Sequence, residues 1–157
     1  MLKSIVIAVD AMGGDNAPNK IIAGISEYLK LNKDVFFRIF GPKTILEKLI
    51  SKNSIKKEFL EIINSDEIIK DNDSVLTAAK KKNTSMWQAI IDVKEKRSNV
   101  VVSAGNTGAL FVISKLNINM IENISKPALA GLWPNKIGMN IVLDLGANIE
   151  CNEKNFE

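Results

Sequence analysis

A chain of 157 residues, 46% of them hydrophobic, is long enough for one domain with its own core and too apolar to remain disordered. The net charge of +3 comes from 21 basic and 18 acidic residues spread along the sequence, with arginine only at positions 38 and 97, so the clustered basic stripe of a nucleic-acid binder is missing. Histidine is absent and Cys151 is the sole cysteine, which excludes internal disulfides, Cys/His zinc sites, Ser-His-Asp triads and Cys-His pairs within the chain.

Lys3 to Val9 (KSIVIAV) is a continuous apolar run rich in β-branched residues, as expected of a strand buried on both faces. It meets Asp10 too soon for a signal peptide, and no apolar stretch reaches the roughly 18 residues of a membrane span, so the chain reads as cytoplasmic. After the loop at 10–17, Pro18 suits the first position of a helix whose face carries Ile21, Ile22, Ile25, Tyr28 and Leu29. A second strand is predicted over 35–40, ending at Gly41-Pro42. A helix striped by Ile45, Leu46, Leu49 and Ile50 follows, then a weaker strand over 59–63.

A short helix is predicted over 74–80, with Asp73 or Ser74 as its cap. Asn83 or Thr84 caps the next, which turns Met86, Trp87, Ile90, Ile91 and Val93 inward and closes on Lys94, Lys96 and Arg97, favourable at a helix C-terminus. A strand over 100–102 and a helix over 107–115 come next. Beyond Pro127, "ALAGLW", the turn "PNKIG" and "MNIVLDLG" read as a strand pair. Strands alternating with helices predict a mainly parallel sheet covered on both faces, in which the strands near 3–9, 35–40, 100–103 and 140–144 are expected to be neighbours. Ligands of such folds gather outside the carboxyl ends of the strands. "DAMGGD" (10–15), "SAGNTG" (103–108) and "DLGAN" (144–148) are all expected there.

Glycine is required where φ is positive or where another group must approach the backbone closely. In "SAGNTG", Gly105 is expected to make the turn and Asn106 or Thr107 to open the helix, whose free amides and positive dipole end suit an anion. Such a turn is also an ordinary connection, and Asp10 and Asp144 serve equally well as caps or partners of loop amides. The run Lys80-Lys81-Lys82 reads as a solvated face, relevant to a site only if the loop before Met86 folds over the strand ends. Without a histidine to activate it, Cys151 reads as inert. Neither GxGxxG nor GxxxxGK[ST] occurs.

Together, "VDAMGGDNAPNKIIAG" (9–24), "KKNTSMWQAI" (81–90), "VSAGNTGAL" (102–110) and "IVLDLGANIECN" (141–152) stand in the order and spacing of one family. The chain resembles the bacterial phosphate acyltransferases, the acyl-[acyl-carrier-protein]:phosphate transacylases of phospholipid synthesis. By that resemblance, 1–157 is the N-terminal part of an α/β domain that continues further in family members. The fold implied is a three-layer α/β/α sandwich with a mainly parallel sheet, akin to phosphotransacetylases and isopropylmalate dehydrogenases.

The resemblance implies a homodimer that moves a fatty acyl group from acyl-carrier protein to inorganic phosphate, giving acyl phosphate for a downstream membrane glycerol-3-phosphate acyltransferase. It also implies peripheral membrane attachment through a part of the family not contained here. No cofactor, metal or nucleic acid is expected. An anionic phosphate needs no histidine base to attack a thioester; it needs positioning, an anion cradle and donors to the developing oxyanion. Gly105, Asn106, Thr107 and Gly108 are expected to form the cradle beside Ser103, with Gly13 and Gly14 closing the first loop over it. Asn106, Thr107 and Lys82 are the candidate catalytic groups; Asp10, Asp15, Asp144 and Asn148 are expected to organise loops. Two alternatives stay open: an acyl-CoA/phosphate acyltransferase, and a catalytically incompetent fragment that serves as a binding module.

Overall fold

The computed structural model describes residues 5–69, 73–124 and 126–146. In chain order, β1 (Ile5–Asp10), α1 (Asn19–Leu31), β2 (Val35–Gly41), α2 (Lys43–Lys52), β3 (Leu60–Asn64), α3 (Val75–Lys80), α4 (Ser85–Lys94), β4 (Val100–Ser103) and α5 (Thr107–Asn117) precede a strand pair, β5 (Ala130–Pro134) and β6 (Met139–Leu143). The four strands β3-β2-β1-β4 form one parallel sheet in that order.

The period-2 alternation of strands divides the core. Val9, Val35, Phe37 and Ile39 point to one face, where they meet Ile22, Ile25 and Leu29 of α1 and Leu46 and Ile50 of α2. Ala8 and Phe40 point to the other, against Ala89 of α4. The result is a three-layer α/β/α sandwich. Outside the sheet, α5 buries Ala109 and Ile113 against Ala78, Met86 and Ile90. The caps lie where the short polar residues suggested: Ser74 Oγ accepts from the Thr77 amide and Thr84 Oγ1 from the Trp87 amide.

The apolar face of α4 carries a carboxylate. Asp92 is fully buried, and Arg38 Nε of β2 donates to its Oδ2 at 2.8 Å while Arg97 Nε donates to its Oδ1 at 2.7 Å. Ser98 Oγ adds a third bond, 2.6 Å to Oδ2. Both arginines of the chain therefore converge on one residue, and Arg97 serves as a clamp from beyond the end of α4. Burial by itself would raise the Asp92 pKa, but bonds from Arg97, Ser98 and Arg38 outweigh it and hold the carboxyl below its ordinary value.

The expected place of the last strand is corrected. Residues 139–143 do not join the parallel sheet; β6 pairs only with β5, antiparallel, from Ala130↔Leu143 to Pro134↔Met139. The reason is local: the Asn135 amide donates to the Gly138 carbonyl at 2.9 Å, closing a tight turn that lets the two strands satisfy each other's ladder.

Candidate anion site at the carboxyl ends of β1 and β4

Chain order runs outward from β1 to β2 and β3, then returns across the sheet to place β4 on the other side of β1. The gap between β1 and β4 is therefore the topological switch point, where loops leaving neighbouring strands diverge and open a crevice. Asp10 ends β1 and Ser103 ends β4, and the two are register partners. The sequence motifs at 10–15 and 103–108 consequently face one another.

Their contact is close. A Cβ added to Gly13 would lie 2.6 Å from Asp10 Oδ2, 2.7 Å from the Gly105 nitrogen and 2.9 Å from Ser103 Oγ. Gly14 has φ +90°, and a Cβ there would meet the Ala104 carbonyl oxygen at 2.5 Å. Gly105 departs from the expected turn geometry. Its φ lies outside the left-handed region; it is glycine because Met86 Cε and Gly13 Cα crowd the place of a side chain, at 3.0 and 3.2 Å.

Beneath the loops lies a buried polar network. Asp10, 2% exposed, accepts from Ser85 Oγ (2.6 Å) and the Met12 amide (3.2 Å) at Oδ1, and from Ser103 Oγ (2.7 Å) at Oδ2. Ser103 Oγ in turn accepts from the Gly105 amide at 3.1 Å. That amide is thus already engaged. Asn106 is the N-cap of α5, its Oδ1 accepting from the Ala109 amide at 2.9 Å. The amides of Asn106, Thr107 and Gly108 stand at the opening of an 11-residue helix, where no preceding turn supplies acceptors. They carry the positive end of its dipole.

Thr107 and Gly108 also border a cavity of about 370 Å³ with Val75, Phe111, Leu129, Leu145 and Gly146, so the "DLG" stretch does approach the same helix start. It arrives from the hairpin and not from a strand of the main sheet. Asp144 itself has a positive φ of 55°. Asp15 is exposed, and so is Lys82, in the turn before α4; its neighbour Lys81 is paired with Asp73 at 2.6 Å. Asn148 and Cys151 lie outside the described residues. Ser85 was not among the residues singled out from the sequence, since its partner Asp10 stands 75 positions away. The only local signal was a short polar residue beside the cap of α4.

Residues 5–157 match the family described as fatty acid synthesis protein. The chain belongs to the fatty acid synthesis protein family. Among its relatives are a phosphate acyltransferase of Pelagibacter ubique, 59% identical over 99% of the chain, and one of Neorickettsia sennetsu, 45% identical over 96%. A third, from Beijerinckia indica, is 41% identical over 95% of the chain. The chain covers 46%, 45% and 39% of these proteins, so it spans less than half their length. The match to the fatty acid synthesis protein family includes every loop of the β1/β4 crevice. No helix among the described residues is long and apolar enough to cross a membrane, and no cluster of three or more His, Cys, Asp or Glu among them could hold a metal ion.

Proposed function

We propose that this chain forms the phosphate-side part of an acyltransferase that moves a fatty acyl group from acyl-carrier protein to inorganic phosphate. The observation that carries the reading is the set of amides of Asn106, Thr107 and Gly108 at the start of α5, held at the sheet's switch point in a chain whose relatives are named phosphate acyltransferases. Helix starts of this kind bind tetrahedral oxyanions.

Phosphate held there attacks as its own nucleophile. An oxygen lone pair forms a bond to the thioester carbonyl carbon, charge develops on the carbonyl oxygen, and collapse breaks the C–S bond. The thiolate leaves and takes up the proton that the attacking hydrogen phosphate gives up, so the products are acyl phosphate and free thiol. The protein's contribution is placement and stabilisation of developing charge, neither of which needs an imidazole. Thr107 Oγ1 is the side-chain donor at the helix start, and Lys82 is the candidate cation of the turn before α4. Asp10 holds the two loops together beneath the phosphate. Asp15, Asp144 and Asn148 act on loop geometry. The acyl chain, the carrier protein and a second subunit engage surfaces supplied in part by the remainder of the relatives' length. Membrane attachment and delivery of acyl phosphate to a membrane glycerol-3-phosphate acyltransferase belong to that whole assembly.

The test is phosphate-dependent release of carrier-protein thiol from acyl-carrier protein, measured on this chain and on the Pelagibacter relative, with acyl-CoA as a parallel donor. The expected result is turnover by the relative, preference for the carrier-protein donor, and little or none by the 157-residue chain. Robust turnover by the chain alone would place the whole active site within it. Absence of phosphate dependence in both would refute the reading.

A further inference from the structure

We infer that Ser85, at the first position of α4, is a positioning residue for the anion site; the inference rests on the proposed phosphate site at α5. Ser85 is 2% exposed, and its hydroxyl donates to Asp10 Oδ1 at 2.6 Å. Asp10 is equally buried, and two hydroxyls and one amide donate to it, with no basic group among them. A buried carboxylate is costly unless donors surround it.

A carboxylate only accepts, so both serine hydroxyls must spend their single proton on it. For Ser103 this fixes the direction of the next bond. With its proton on Asp10, its oxygen presents a lone pair to the Gly105 amide, 3.1 Å away. The relay Ser85, Asp10, Ser103, Gly105 thereby sets the peptide plane at the head of "GNTG" and points that amide into the protein. The turn into α5, and the direction of the next three amides, follow from it. Gly13 removes the remaining slack, because its backbone lies against Asp10, Ser103 and Gly105 together. Without the Ser85 hydroxyl, Oδ1 keeps only the 3.2 Å bond from Met12, and the carboxylate is free to rotate away from Ser103.

The control is built into the same helix. Thr84 caps α4 through the Trp87 amide, and its hydroxyl donates to the Lys81 carbonyl and not to Asp10. Thr84→Ala therefore weakens α4 while leaving the relay intact. The experiment titrates inorganic phosphate into the purified chain, follows the amide resonances of Asn106, Thr107 and Gly108, and measures Tm of each variant. Ser85→Ala should weaken phosphate binding about tenfold, the scale of one hydrogen bond to a charged group. Thr84→Ala should lower Tm and leave phosphate affinity within about twofold of wild type, a smaller change than loss of any such bond. Should Ser85→Ala fail to fold, Ser85→Cys, a weaker donor of similar shape, should give an intermediate loss. Folded Ser85→Ala or Ser85→Cys with wild-type affinity would overturn the role of Ser85 while leaving the phosphate site standing. So would equal loss of affinity in Thr84→Ala. A folded wild-type chain that binds no phosphate would remove the site itself, and the relay's purpose with it.

Discussion

The parallel sheet and the β5–β6 hairpin treat apolar residues in opposite ways. In the sheet, Ala8, Val9, Phe37, Ile39 and Phe40 are all at most 5% exposed, closed in by α1, α2 and α4. In the hairpin, Leu132 and Ile141 are 70% exposed, Trp133 61% and Ile137 fully. Both regions have strand-like sequences and paired strands; among the described residues, only the first is covered by helices on its faces. Between the two extremes stands β4, whose Val101 packs inward while Val100 and Val102 are exposed on the α1 side, Val102 lining a groove of about 410 Å³ that also takes in Ile21, Tyr28 and Phe37. The β1/β4 crevice is thus built by the packed part of the molecule. Leu145 and Gly146, just past the hairpin, come beside it.

The packed region is most vulnerable at Asp92. Asp92→Ala strips a buried carboxylate from Arg38, Arg97 and Ser98 and should cost about 3 kcal/mol in denaturant unfolding, as removal of one partner from a buried ion pair does. The carboxyl's folded pKa lies below its ordinary 3.8, so its contribution is present above that value and lost as pH falls through the folded pKa. The stability gap between wild type and Asp92→Asn should therefore be widest near neutrality and close in acid below pH 3.8.

Next in size is Gly13→Ala, which forces a methyl against Asp10 Oδ2 and the Gly105 nitrogen. Overpacking of this kind costs about 1–3 kcal/mol, and here the backbone that moves is that of the crevice. Phosphate binding should fall further than stability alone explains, as read by calorimetric titration at matched folded fraction. Asn106→Ala removes the cap of α5 and should cost about 1 kcal/mol by thermal unfolding. Trp133→Ser, in the hairpin, should change stability by no more than about 0.5 kcal/mol while improving solubility in a precipitation assay. A cost from Trp133→Ser as large as that from Gly13→Ala would erase the distinction between the two regions.

Most of the architecture was legible from periodicity, since β1 to β4 and all five helices lie where alternating and helical apolar patterns put them. The two loops were legible as well, because glycines directly behind buried strands mark close backbone approach. What could not be read is contact across long sequence separations. Arg38 meets Asp92 across 54 positions and Ser85 meets Asp10 across 75, and no local pattern records either pairing. The scarcity of arginine was a visible signal, yet only the fold brings positions 38 and 97 to one carboxylate. Gly105 was read as a turn-maker because position alone does not separate a φ requirement from crowding by Gly13 and Met86. The expectation that a strand near 140–144 joins the main sheet fails because alternation reveals a strand but not its partner.

The start of α5, set by contact of the two glycine loops, is the proposed anion site. It is tested most directly by titrating inorganic phosphate into the folded chain and recording every backbone amide. Saturable shifts centred on Asn106, Thr107 and Gly108, greatly weakened in Gly13→Ala, are the predicted result. Shifts confined to the lysine-rich turn at 80–82, or none at all in a folded chain, would contradict it.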